Sequence, residues 1–171
     1  MPNVKKMIVS SMLITNALTI FILETQLPPI VPIPGIKLGL ANVITLFAIY
    51  LIGCKEAAKI HTLRIILGSI FAGQMISFLY SISGGILSLL IMIVGKHIIS
   101  KDFIWLVGIL SAVLHAAGQL GIAILVLGTM SILYYAPIIL ISSIITGLFT
   151  GLCVQLLLKK HEKAFYRIIN Q

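Results

Sequence analysis

Six polar side chains, Glu24, Lys37, Asn42, Gln74, His115 and Gln119, fall inside or beside apolar runs of this chain. In lipid a bare amide, imidazole or charge is costly, so residues of these types bind, gate or tie helices together. His115 and Gln119 are four apart and share one helix face. Lys37 is a cation that can meet an anionic group of a substrate, or else pair with Glu24. Lys37, Asn42, Gln74, His115 and Gln119 therefore form the expected binding set for a small organic molecule, in a cavity otherwise apolar. Glu24, Pro34 and Gly35 are the expected gate over it. Blander readings stand beside these: Asn42 and Gln74 as interhelical glue, His115 as a satisfied structural histidine. Tyr80, Tyr134 and Tyr135 read as an interfacial aromatic belt.

Other chemistries lack their residues. The sequence holds no Gly-x-x-x-x-Gly-Lys-Ser/Thr, so ATP hydrolysis by a phosphate loop is excluded. Its four acids are Glu24, Glu56, Asp102 and Glu162, far from the aspartate clusters that hold magnesium around a diphosphate. The expectation is a protein that is not an enzyme, with no metal and no cofactor. No carboxylate falls in the middle of a span, which disfavours simple proton coupling. Cys54 and Cys153 read as free thiols in a reducing compartment.

The elements that must position these residues are membrane helices. Apolar residues make up 60% of the chain and charged ones 9%, with a mean hydropathy of +1.18, which excludes an ordinary soluble domain. Six runs of helical character lie near 7–23, 38–53, 63–80, 84–95, 103–128 and 133–158. Eleven of the twelve Lys and Arg then fall on one side, Lys37 being the exception. The positive-inside rule puts that side, and both termini, in the cytoplasm of a bacterial cell (inner) membrane. The net charge of +8 could suggest nucleic acid, but cations spread over span ends suit topology and anionic lipid instead. No nucleic-acid partner is expected. The N-terminal run has no small-x-small cleavage site and reads as an uncleaved first helix.

The expected fold is thus all-α, a six-helix membrane bundle forming a single domain over 1–171. Its most unusual segment is the outer loop 24–37, where Pro28, Pro29, Pro32 and Pro34 forbid a regular helix. The apolar residues between those prolines suggest a cap or re-entrant stretch packed into the bundle. Ser81-Ile82-Ser83-Gly84-Gly85 reads as the outer turn between the third and fourth spans. Ser11, Thr15 and Thr19 line one face of the first span and form the expected partner-docking stripe.

The stretch Pro32-Ile-Pro-Gly-Ile-Lys-Leu-Gly-Leu-Ala-Asn42, continuing through Leu46, resembles the signature of the Gx transporter family, also labelled heptaprenyl diphosphate synthase component I. The resemblance extends over nearly the whole chain, including Lys55-Glu56-Ala57. That family is similar to substrate-binding S components of energy-coupling-factor transporters. The resemblance implies an outward site capped by the first loop, docking of a coupling membrane subunit on the first helix, and energy from separate ATPases. The Ala-x-x-x-Ala form of the docking helix is absent here. It also implies a vitamin-, isoprenoid- or quinone-related substrate. The alternative it leaves is a non-catalytic accessory subunit of prenyl diphosphate or quinone biosynthesis, or of flavin-based extracellular electron transfer.

Overall fold

Runs this apolar must satisfy their backbone internally, and a helix does so residue by residue. The computed structural model describes residues 4–27, 37, 39–73 and 75–170. Pro34, Gly35 and Gln74 lie outside the described residues, so their expected roles find no structural account. Six α-helices make up the described chain: α1 Val4–Gln26, α2 Asn42–Leu51, α3 Cys54–Ala72, α4 Met75–Ile98, α5 Ile104–Leu127 and α6 Ala136–Asn170. Two short 3-10 turns, Lys101–Phe103 and Met130–Tyr135, lead into α5 and α6. Among the described residues there is no strand.

The bundle is apolar outside and encloses a set of buried polar side chains. Leu90 and Val94 of α4, and Ile141, Ile145, Phe149 and Leu156 of α6, are exposed. Glu24, Asn42, His61, Arg64, His115 and Gln119 are buried. A soluble protein does not expose so large an apolar face, whereas lipid tails cover it at no cost. This is a membrane protein. Four of its helices, α1, α4, α5 and α6, are long and apolar enough to cross a bilayer. The other two of the six expected spans are unlike those four. Helix α2 has ten residues, about 15 Å at 1.5 Å per residue, half the depth of a hydrocarbon core. Helix α3 carries Lys55, Glu56, Lys59 and Arg64.

Two expectations about α3 and its connection to α4 are corrected by the structure. The turn between the third and fourth helices is not at Ser81–Gly85, which lie within α4. It falls at Gly73, whose left-handed φ of 63° ends α3 at low cost for glycine alone. Arg64 is not a flanking topological charge. It stands in the middle of α3 and is 2% exposed. Elsewhere, Lys96 Nζ in the last turn of α4 donates to the carbonyl of Ile49 at 2.6 Å, and Lys159 of α6 pairs with Asp102 at 3.2 Å. Those contacts bring the C-terminal ends of α2 and α4, the start of α5 and the charged part of α6 to one end of the bundle.

Close helix approach depends on glycine where α5 and α6 cross. A Cβ on Gly147 would stand 2.7 Å from Ile109 Cα, and one on Gly151 would stand 2.6 Å from Trp105 Cα. The core has two apolar layers. One joins Leu13, Leu46, Ile49, Ile60, Met92, Val107 and Val154; the other joins Tyr80, Ala116, Leu120, Ala123 and Ile139. Tyr80 is 1% exposed, so it is a core residue and not part of an interfacial belt.

Candidate functional site

Between those layers runs a polar one. Asn42 and Thr45 open α2 and point the same way, three residues apart on the helix. His61 and Arg64, also three apart, meet them from α3. Arg64 Nη2 donates to Asn42 Oδ1 at 3.3 Å and lies 3.5 Å from His61 Nδ1. Thr45 Oγ1 is 3.0 Å from the same His61 nitrogen. Helix α5 contributes His115 and Gln119, whose Nε2 atoms are 3.1 Å apart. All six side chains are buried.

Lys37 and Gly39, which precede α2, are tied to this layer. Glu24, in the last turn of α1, accepts a hydrogen bond from the Gly39 backbone N–H at 2.5 Å. Gln119 Oε1 accepts one from the Lys37 N–H at 3.4 Å. Lys37 Nζ sits 3.6 Å from the centre of the Phe21 ring, a cation–π contact that suits an ammonium removed from water. Two side-chain acceptors thus hold down a stretch of backbone that has no helical partner of its own.

Glycines make room for the layer. Gly39 has φ +77° and its absent Cβ would meet Asn42 Nδ2 at 3.0 Å and His115 Cδ2 at 3.2 Å. On α4, a Cβ on Gly84 would stand 2.6 Å from the His115 carbonyl oxygen, and one on Gly85 would stand 2.7 Å from His61 Nε2. The glycine pair read from the sequence as a turn is instead where two imidazoles lie against a helix. Gly39→Ala is expected to lose roughly 1–3 kcal/mol from strain at positive φ and to unseat the backbone between Glu24 and Asn42. A thermal melt of the purified protein in detergent, beside Gly53→Ala as a positive-φ control with open space around its Cβ, checks it.

The structure brings together five of the residues that sequence reasoning singled out: Glu24, Lys37, Asn42, His115 and Gln119. Gln74 lies outside the described residues. Ser11, Thr15 and Thr19 are exposed on α1, with the Thr15 and Thr19 hydroxyls each returned to the carbonyl four residues earlier at 3.0 Å. Thr45, His61 and Arg64 were missed. Their signal was the paired spacing of Asn42/Thr45 and His61/Arg64, polar residues at helical intervals on two successive elements.

Among the described residues no three His, Cys, Asp or Glu gather as a metal-binding group. The family model described as heptaprenyl diphosphate synthase component I matches residues 13–157. No curated protein and no solved structure matches the chain.

Proposed function

The chain belongs to the heptaprenyl diphosphate synthase component I family, and from that membership and the buried polar layer we propose that it is a substrate-binding membrane subunit. It takes up a small organic molecule, vitamin-, isoprenoid- or quinone-related, and relies on a separate ATPase module and a coupling membrane subunit for energy, as S components do. It sits in the bacterial cell membrane with both termini cytoplasmic. One observation carries the reading: Glu24, Lys37, Asn42, His115 and Gln119, drawn from α1, α2, α5 and the α1–α2 connection, converge inside a bundle whose exterior is apolar. Polar convergence at such depth is costly to a membrane protein that only spans.

The backbone at Lys37 and Gly39 acts as the lid. Its bonds to Glu24 and Gln119 close the site, and releasing them opens it. Glu24→Gln weakens the closing bond, since an amide oxygen accepts less strongly than a carboxylate. Hydrogen exchange at the Gly39 amide is expected to rise roughly 10-fold, while amides in the α5–α6 crossing stay as in the parent. Unchanged exchange at Gly39 would remove the lid from the account. The exposed Ser11, Thr15 and Thr19 face of α1 is the docking surface for the coupling subunit.

A second reading is favoured by the description of the family itself: an accessory subunit of prenyl diphosphate synthesis. The two separate on copurification from native membranes after mild crosslinking. Recovery of a coupling membrane subunit with ATPases supports uptake. Recovery of a soluble synthase, without ATPases, supports the accessory role and rejects uptake.

A further inference from the structure

We infer that the polar layer is an oxyanion site, built to take the carboxylate or phosphate group of an organic anion on Arg64, Lys37 and Asn42. The inference rests on the substrate-binding reading above and names the substrate class. Arg64 Nε, Lys37 Nζ and Asn42 Nδ2 are all buried and, among the described residues, all lack a hydrogen-bond partner. Each is a donor, so these three lack acceptors; His61 Nε2 and His115 Nδ1 are unpartnered too and donate or accept according to tautomer. Three of the layer's oxygen acceptors are already engaged: Glu24 Oε1 with Gly39, Asn42 Oδ1 with Arg64 and Gln119 Oε1 with Lys37 N–H.

Charge points the same way. Of the acids whose side chains are described, Glu24 is the one that faces both Arg64 and Lys37. Glu56 pairs with Lys59 at the start of α3, and Asp102 pairs with Lys159. Two basic groups facing one carboxyl leave an excess of positive charge in a low-dielectric interior. Water or a neutral ligand would fill the hydrogen bonds and leave that excess standing, whereas an oxyanion answers both. Helix α2 starts inside this layer, so the positive end of its dipole adds to the field. No side chain caps that start at Ala41. His61 and His115, set against Gly85 and Gly84, wall the site.

The test uses the full chain in nanodiscs of neutral phosphatidylcholine, so that no anionic lipid competes. Four probes are titrated while the thermal midpoint is followed: inorganic phosphate, acetate, octanoate and geranyl diphosphate. Binding to the folded state alone raises the midpoint with probe concentration. At least one anion is expected to raise it. A response to phosphate or acetate marks a bare oxyanion site, and a response only to octanoate or geranyl diphosphate marks an amphiphile's headgroup. Arg64→Met is expected to weaken that binding roughly 100-fold, yet to melt no lower than the parent without ligand, because it removes a buried charge without a full set of partners. Lys59→Gln, the same charge loss at the exposed start of α3, keeps the parent response. The inference is overturned if no anion shifts the parent, if Arg64→Met responds as the parent does, or if unliganded Arg64→Met melts several degrees lower. A neutral molecule retained by the native protein also overturns it while leaving the substrate-binding reading intact. Anion binding by a chain that copurifies with no ATPase module would instead keep this inference and reject uptake.

Discussion

Gly147→Leu is expected to keep α5 and α6 from closing on each other and to leave little monodisperse protein. At this crossing the obstacle is backbone and not a pliable side chain. A Cβ at position 147 would meet Ile109 Cα at 2.7 Å, the Gly108 carbonyl oxygen at 2.8 Å and Ala112 Cβ at 2.9 Å. Three contacts under 3.0 Å on the facing helix cannot be relieved by rotating χ angles, so the helices must separate along the contact. The loss should exceed the roughly 1–3 kcal/mol of ordinary over-packing, or about 10 °C in thermal midpoint. Gly121→Leu on the same helix as Gly108 is the control, since its Cβ meets nothing within 4 Å. Size-exclusion profiles and melts of both variants check the claim. Equal behaviour of the two would mean that α5 and α6 do not cross at these glycines.

Asn42→Asp should have the opposite effect on stability and the largest effect on binding. The change keeps the shape of the side chain and places a carboxylate where Arg64 Nη2 already donates at 3.3 Å. It also replaces the unpartnered Nδ2 with an acceptor. The protein then carries its own oxyanion in the layer, and a charge-assisted bond contributes on the order of 1.5–3 kcal/mol. The unliganded variant is expected to melt several degrees above the parent and to lose the response to any anion. A lower midpoint for Asn42→Asp would mean that the layer has no excess of positive charge to neutralise. This is the stability–function opposition expected where a site is held unsatisfied for its ligand.

The sequence made the class of protein and much of the site legible for the same reason: a polar residue in an apolar run has few excuses. His115 and Gln119 stood out by spacing. Glu24, Lys37 and Asn42 stood out by flanking a segment that cannot be helical. Arg64 and His61 did not stand out, because α3 carries Lys55, Glu56 and Lys59 in its first turns and reads as a solvated flank. A cation two turns further along looked like more of the same. Only its burial, 2% exposed, separates it from them. Gly84 and Gly85 misled for a related reason. Paired glycines after serines suit a tight turn, and nothing local tells a turn glycine from one that admits an imidazole on a neighbouring helix. The shortness of α2 was hidden by continuous hydropathy from 38 to 53. The start of the helix is set by backbone at Gly39 and by Asn42 entering the polar layer, both tertiary matters.

The most direct test of the site is native mass spectrometry of the protein purified from its own membranes, beside Asn42→Asp prepared identically. The account predicts a small organic anion bound in a one-to-one ratio to the parent and absent from the variant. A parent that carries no small molecule, or one whose bound species is neutral or equally retained by Asn42→Asp, would contradict it.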